Sequence, residues 1–188
     1  MLEPQGSAAE PPNTTVPSQI LLIERMSVRY DSYEDRIALD VADHGGAQAR
    51  LWLTRRGANV LVQTTVARVE AYVAATIAAS DVDPGAAKPL RESALATQQL
   101  TARLTQRKAG AVDLPPGSAE HLVTAIQMTP HPNRIQIDFQ SGTTVPSRVL
   151  LQSAELFQWL AALQRQYHKA GWSLEAWPVW FTQNLQKK

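Results

Sequence analysis

The chain has 188 residues, a formal net charge of +1, 44% hydrophobic residues and no cysteine. Its length suits one domain or two small fused lobes, and its apolar content excludes a wholly disordered protein. The lack of cysteine excludes disulfides, thiolate metal sites and thiol catalysis. The near-zero net charge shows none of the basic excess that is typical of proteins bound to phosphate backbones.

Residues 1–18 are predicted to be a disordered N-terminal tail. They contain four prolines and two glutamates, with neither the basic start nor the apolar stretch of a targeting segment. The longest apolar runs, such as residues 20–23, are far shorter than the roughly 20 residues of a membrane span. We therefore expect a soluble, cytoplasmic protein without membrane contact.

Residues 19–80 are predicted to form three strands and a helix. Alternating apolar residues, as at Met26 and Val28, indicate strands with one buried face. Paired glycines at 45–46 accept the positive φ of a tight hairpin turn before the third strand. Thr54 is placed to cap a helix whose apolar residues recur at steps of three and four as far as about residue 80.

The remaining chain is predicted to contain a linker, a second repeat and a tryptophan-rich end. Residues 81–120 start and end with chain-breaking sequences (DPG, LPPG) around a short helix, which is typical of a linker. Residues 121–171 show the same three strands, and then a helix that Ser153 opens and Gly171 stops. Residues 172–188 form a separate C-terminal segment.

The two predicted strand regions match at one constant offset. The segment 36–41 (RIALDV) aligns with 134–139 (RIQIDF), and 50–53 (RLWL) aligns with 148–151 (RVLL), both at a shift of 98 residues. Such self-similarity indicates an internal duplication. We therefore predict an α+β fold made from a duplicated β-β-β-α unit. Two antiparallel three-stranded meanders, each followed by a helix, would be related by a pseudo-twofold axis, because one unit alone leaves a sheet face or edge bare.

No catalytic, cofactor-binding or metal-binding residue is predicted. The histidines are scattered, and the glycine-rich and nucleophile motifs of common enzymes are absent from the sequence. Asp40 and Asp138 stand at equivalent positions and could act as acid and base if they met. Their alternation with apolar residues places Asp40 on the solvent side, where a cross-strand ladder with Arg50, and with Arg148 in the second copy, is the favoured interpretation.

Arginines of the first half suggest a nucleic-acid surface. If the strands are neighbours, several guanidinium groups share one sheet face beside an aromatic ring, an arrangement that holds single strands by charge and stacking. The residues in this group are Arg25, Arg29, Arg36, Arg50, Arg55, Arg56 and Tyr33. Acidic residues in the same region favour a self-compensated, solvated face instead.

The C-terminal segment places six large apolar side chains within residues 172–181. It could fold back to seal the core, present aromatic anchors to a partner protein, or insert into a membrane surface. Sealing is the favoured interpretation, followed by partner docking. The candidate partner-binding residues are Trp172, Trp177, Trp180 and Phe181.

The element order over residues 21–171 resembles the globular heads of the end-joining and centriole-cartwheel scaffold proteins. It also resembles the duplicated repeats of Pur-alpha-type single-strand-binding modules. Those heads continue their last helix into a coiled-coil stalk, whereas Gly171 is placed to stop it here. The Pur-alpha repeats have four strands rather than three. Likeness of element order bears on fold more than on function.

These observations predict a non-catalytic, soluble accessory or scaffold protein that works by protein–protein interaction or assembly. Its expected partner is another protein or a second copy of itself, and no cofactor is expected. The alternative is a single-stranded nucleic-acid-binding module that uses the arginine-bearing sheet face. An enzyme comes third, and it would need Asp40 and Asp138 to meet.

Overall fold

The computed structural model describes residues 20–80, 83, 85–104 and 110–182. The predicted N-terminal tail, residues 1–18, lies outside the described residues, and so do residues 183–188 of the C-terminal segment. Within the described part, eight strands and four helices form an α+β fold with two four-stranded mixed sheets.

The described elements, in chain order, are β1 (Leu21–Ile23), β2 (Arg25–Asp31), β3 (Arg36–Ala42), β4 (Gln48–Leu53), α1 (Arg55–Ala78), α2 (Ala87–Leu104), β5 (Ala119–Leu122), β6 (Ala125–His131), β7 (Arg134–Ser141), β8 (Thr144–Gln152), α3 (Ser153–Ala170) and α4 (Val179–Thr182). The order differs from the predicted six strands and two principal helices. The additional strands are β1 and β5, and the helix predicted to be short in the linker, α2, has 18 residues.

Each sheet contains an antiparallel meander and a fourth, parallel strand. The first sheet has the order β2-β3-β4-β5 and the second has the order β1-β8-β7-β6. The two predicted meanders, β2–β3–β4 and β6–β7–β8, are present. The prediction of six strands was incomplete, because β1 and β5 pair in parallel with β8 and β4 and bring each sheet to four strands. These strands have three and four residues, which is too short for a readable alternation.

The inner faces of both sheets and the apolar sides of the helices form one hydrophobic cluster. Ile37, Leu39 and Val41 of β3 are fully buried in it, as are Ile137 and Phe139 of β7. These residues share the inner faces of β3 and β7 because successive side chains of a strand point to opposite faces of the sheet. The core therefore spans both halves of the chain rather than dividing into two.

The start of α1 and the end of α3 are as predicted. The side chain of Thr54 accepts a hydrogen bond from the backbone N–H of Gly57 at 3.1 Å, which caps α1. Gly171 ends α3 in the left-handed conformation, with φ of +66°. The backbone N–H of Trp172 then donates to the carbonyl of Tyr167 at 3.0 Å, so the chain reverses direction at this glycine.

Among the described helices, α1 has the length and composition to cross a membrane. It has 24 residues and a mean hydropathy of 1.2 over its most apolar 18 residues, of which 33% are buried. One side of α1, including Leu61, Val62 and Val66, lies in the hydrophobic cluster. Apolar residues on that side therefore contribute to the core.

Replacing Gly171 with alanine tests the αL helix end. Gly171→Ala is expected to lower the free energy of unfolding by about 1–2 kcal/mol, because a Cβ is strained at positive φ. Urea unfolding followed by circular dichroism measures the change. Gly110→Ala is the matched control, since Gly110 has no positive φ and nothing within 4 Å of an added Cβ. Equal effects of the two substitutions would contradict the conformational argument.

Candidate functional site

Asp40 lies at the centre of an ion-pair cluster on the outer face of the first sheet. Its carboxylate accepts from Arg50 Nε at 2.7 Å and from Arg29 Nε at 3.2 Å. The cross-strand pair of Asp40 with Arg50 is therefore confirmed. The expectation that Asp40 is solvated was wrong, because the two arginines leave only 7% of its side chain exposed. The hydrogen bond from Arg50 raises the pKa of that guanidinium.

Trp52 and Glu120 complete this cluster, and sequence reasoning missed both. The guanidinium carbon of Arg50 lies 5.3 Å from the centroid of the Trp52 ring, and that of Arg29 lies 6.0 Å away. Trp52 Nε1 donates to Glu120 Oε2 at 2.8 Å, and Glu120 Oε1 is 3.4 Å from Arg50 Nη1. The position of Trp52 two residues after Arg50 was a usable signal, since such residues share a sheet face. Asp31 Oδ2 also lies 3.0 Å from Arg29 Nη1, so three carboxylates compensate the charges of the two arginines.

The predicted nucleic-acid residues are only partly brought together. Arg29 and Arg50 share the cluster, whereas Arg36 pairs with Glu34 at 3.5 Å. Tyr33 is 95% exposed in the turn after β2. Arg25, Arg55 and Arg56 are exposed as well.

The chain after α2 covers part of the face on which the cluster lies. The backbone N–H of Val112 donates to Ser27 Oγ at 2.8 Å, and Val112 is only 5% exposed. Ala38 and Ala42 on the same side of β3 are fully buried, although they are outside the main hydrophobic cluster. This side of the sheet is therefore closed over β2 and β3 instead of forming an open groove.

Asp138 and Arg148 repeat the cross-strand pair in the second sheet. Asp138 Oδ2 accepts from Arg148 Nη2 at 3.2 Å and from Gln136 Nε2 at 2.9 Å. The hydrogen bond with Asp138 raises the pKa of Arg148. Asp40 and Asp138 thus lie in different sheets, each with its own arginine. In the described part of the chain, no group of three or more histidine, aspartate or glutamate side chains could hold a metal ion.

The C-terminal rings lie in or against the hydrophobic core. Trp172, Trp177 and Phe181 are 6%, 5% and 0% exposed. Trp180 is half-buried, and its Nε1 donates to Glu70 Oε1 at 2.8 Å. The Phe181 ring lies 5.2 Å from that of Trp177 and 5.5 Å from that of Trp180. This packing has the geometry of a sealed core end, and partner binding by these rings would require the segment to move.

Trp172 fills the space between the β2–β3 turn and the end of α3. Its Nε1 donates to Asp35 Oδ1 at 3.0 Å, and its ring lies against Tyr30 and Tyr167 with centroids 5.8 and 5.2 Å apart. Hydrogen bonds from Trp172 and Tyr30 lower the pKa of Asp35. Tyr167 is fully buried, which raises its pKa, and its hydroxyl donates to Asn59 Oδ1 at 2.8 Å.

A cavity of about 510 Å³, named here the α3 cavity, lies where the β6–β7 turn meets α1 and the start of α3. Sequence reasoning missed it, because its walls come from distant segments. They are Arg68, Val69, Ala71 and Tyr72 of α1, Gln98 of α2, Pro130, His131, Pro132, Asn133, Arg134 and Ile135 around the turn, and Leu151, Gln152, Ser153, Ala154, Leu156 and Phe157.

The charged side chains that line the α3 cavity are basic. Arg68 and Arg134 line it, and none of the described carboxylates does. Neither arginine has an ion pair within the described residues. The carboxylate of Glu155, in the first turn of α3, accepts from the backbone N–H of Gln152 at 2.8 Å. Apolar walls with a local positive charge suit a small molecule with an apolar body and an anionic group.

Replacing Trp172 with phenylalanine tests the cause of the low pKa of Asp35. Trp172→Phe keeps a ring but removes the N–H donor, so the pKa of Asp35 should rise towards its ordinary value of 3.8. A carboxyl NMR titration measures this. Trp180→Phe is the control, because it removes the hydrogen bond to Glu70 instead.

The same hydrogen bond has a defined effect on the pH dependence of stability. The folded-state pKa of Asp35 is lowered, so its stabilising contribution is present above pH 3.8 and is lost as the pH falls through the folded value. The stability difference between the wild type and Trp172→Phe should therefore shrink in acid. A difference that stays constant from pH 7 to pH 2 would count against this assignment.

Relatives give no guidance to the use of these sites. Comparison of the chain with protein-family models, with curated proteins and with solved structures finds no match. Its function must be inferred from its own side chains and their geometry.

Proposed function

We propose that this protein is a non-catalytic accessory protein that works by binding, and that the α3 cavity binds a small amphipathic anion. The α3 cavity itself is the observation behind the proposal. Its volume of about 510 Å³ falls within the range of roughly 300–1,000 Å³ that is usual for small-molecule sites. Apolar residues such as Ile135, Leu151 and Phe157 form much of its wall.

The charge distribution supports an anionic ligand. The whole chain has a net charge of only +1, so the two arginines at the α3 cavity are a local feature. Arg68 and Arg134 are exposed at the rim, where a bound carboxylate stays close to water.

Two observations support a role without catalysis. The buried carboxylates of Asp40 and Asp138 are each held by an arginine, which favours a structural use of both groups. Within the part of the chain that the structure describes, the titratable side chains that line the α3 cavity are His131, Tyr72 and the two arginines. His131 Nε2 lies 3.4 Å from Gln136 Oε1, and a nucleophile activated by a base is not found among these groups.

We also propose that the fold arose from one duplicated β-β-β-α unit with an added leading strand, the two copies being related by a pseudo-twofold axis. The strand registers support this. Leu21 pairs with Ser147, and Ala49 pairs with Ala119, so a shift of 98 residues converts one parallel pairing into the other. The same shift takes the first residue of α1, Arg55, to the first residue of α3, Ser153.

The protein–protein interaction and assembly function predicted from the sequence remains a proposal without an assigned surface. Its expected anchors, Trp172, Trp177 and Phe181, are buried, and Trp180 is engaged with Glu70. Small-molecule binding is preferred because the α3 cavity is open and its arginines are not engaged in described ion pairs. An accessory protein can combine both roles.

Blocking the α3 cavity tests its use. Octanoate and indole-3-acetate are the anionic probes, and octylamine and tryptamine are their cationic counterparts. An anionic probe at a hundredfold excess over its Kd should raise the Tm by about 5 °C or more. Ala71→Trp, which places a large ring at a lining position, should abolish the shift. Ala75→Trp, one turn away on α1 and outside the lining, is the control.

The proposal is contradicted if neither anion raises the Tm, or if the shift is the same in Ala71→Trp and in the wild type. A shift that is lost equally in both tryptophan variants would indicate damage to α1 rather than a blocked site. Circular dichroism of both variants identifies that outcome.

The nucleic-acid alternative is tested by fluorescence anisotropy with labelled single-stranded DNA and RNA. Arg29 and Arg50 are neutralised by Asp40 and Glu120, so we expect no binding at 50 mM salt, where phosphate contacts are strongest. Tight binding that weakens steeply with salt would restore this alternative. The triple variant Arg25→Gln/Arg55→Gln/Arg56→Gln would then show whether the exposed arginines are responsible.

A further inference from the structure

The space that Trp172 fills in the first half corresponds to the α3 cavity in the second half. A shift of 98 residues takes Asp35, which accepts from the Trp172 ring, to Asn133, and takes Tyr167 to Val69. Asn133 and Val69 both line the α3 cavity. Likewise α3 contacts β2 in the first half, and α1 contacts β6 in the second. An indole ring thus occupies the first position, and the second is open.

α3 and α1 differ at the residue that determines whether the chain can fill the space beside the sheet. Gly171 ends α3 and reverses the chain, so that Trp172 returns onto Tyr30 and Tyr167. The corresponding residue of α1 is Val73, which is buried within a helix that continues to Ala78. The continuing helix leads the chain past the α3 cavity. In addition, valine at position 69 leaves open the volume that the ring of Tyr167 takes in the first half.

At two polar positions, the residue at the α3 cavity is more positive than its counterpart beside Trp172. Gln166 Oε1 accepts from the backbone N–H of Tyr30 at 2.9 Å. The residue of α1 that corresponds to Gln166 is Arg68. The β6–β7 turn is two residues shorter than the β2–β3 turn, so strand register aligns Tyr30 with Pro130, which has no N–H to donate. The side-chain amide that accepts from the Tyr30 backbone in the first half is thus replaced by a cation at the α3 cavity. At the position of Asp35, Asn133 keeps an oxygen acceptor and loses the negative charge.

We infer that the α3 cavity is selective for a flat bicyclic aromatic ring that bears one carboxylate. The inference rests on the proposed function and specifies its ligand class. The ring takes the place that the Trp172 indole has in the first half, beside Tyr72 and Phe157. A ring N–H donates to the side-chain oxygen of Asn133, as the Trp172 N–H donates to Asp35. The carboxylate pairs with Arg68 and Arg134.

Isothermal titration calorimetry of the full chain with three probes tests ring and charge separately. Indole-3-acetate has both features, octanoate has the charge on a flexible chain, and tryptamine has the ring with the opposite charge. Indole-3-acetate should bind about tenfold or more tightly than octanoate, since the rigid ring loses less conformational freedom and stacks on aromatic walls. Tryptamine should not bind measurably.

Two variants carry the residues of the first half into the second. Arg68→Gln and Asn133→Asp should each weaken indole-3-acetate about tenfold, the first by removing a charge-assisted hydrogen bond and the second by adding a like charge. Arg165→Gln, an exposed position of α3 outside the lining, is the control and should bind as the wild type does. Unchanged Tm values without ligand establish that each variant is folded.

The outcomes separate this inference from the proposed function. Octanoate binding as tightly as indole-3-acetate, with loss of both in Ala71→Trp, overturns the ring selectivity and leaves the proposed function standing. Failure of both carboxylates overturns both. Tryptamine binding equal to that of indole-3-acetate, or Arg68→Gln and Asn133→Asp without effect, overturns the assigned role of charge.

Discussion

β1, in the first half of the chain, pairs with β8 of the second half, and β5 pairs with β4 of the first half. The rest of the fold depends on this exchange of strands. Only Glu24 separates β1 from β2, and only Val123 and Thr124 separate β5 from β6. A strand held in one sheet therefore anchors the neighbouring edge of the other. With α1 packed on β6 and α3 on β2, each half buries apolar surface of the other, which ties the two sheets into one cooperative unit.

The outer faces of the two sheets have the same ion pair and different surroundings. In the first sheet, Ala38 and Ala42 flank Asp40 and are fully buried near Val112. In the second, Gln136 and Gln140 flank Asp138 and are half-buried. Small apolar residues suit a sheet face that is covered by other chain segments, and side-chain amides suit a face that is in contact with solvent. The Asp–Arg pair persists in both settings because it joins neighbouring strands, and its partners satisfy a carboxylate that would be costly to bury alone.

Residue patterns predicted the elements that are long and regular, and they failed where the structure depends on distant segments. Alternation along β3 and β7 and the cap at Thr54 were readable because each is a local property. The pairing of β1 with β8 was not readable, since three residues have no period. Trp52 was overlooked although it stands two residues from Arg50 on the same face. The α3 cavity could not be predicted at all, because its walls come from segments that are far apart in the sequence.

The left-handed turn at Gly171 has a consequence for how the two halves could diverge. By returning the chain at the end of α3, this turn lets the ring of Trp172 fill the space beside Tyr30 and Tyr167. Under the duplication that we propose, the uninterrupted helix α1 leaves the corresponding space in the second half open as the α3 cavity. On that proposal, a ligand site arises when one of two equivalent spaces loses the side chain that fills it, and no new cavity has to form.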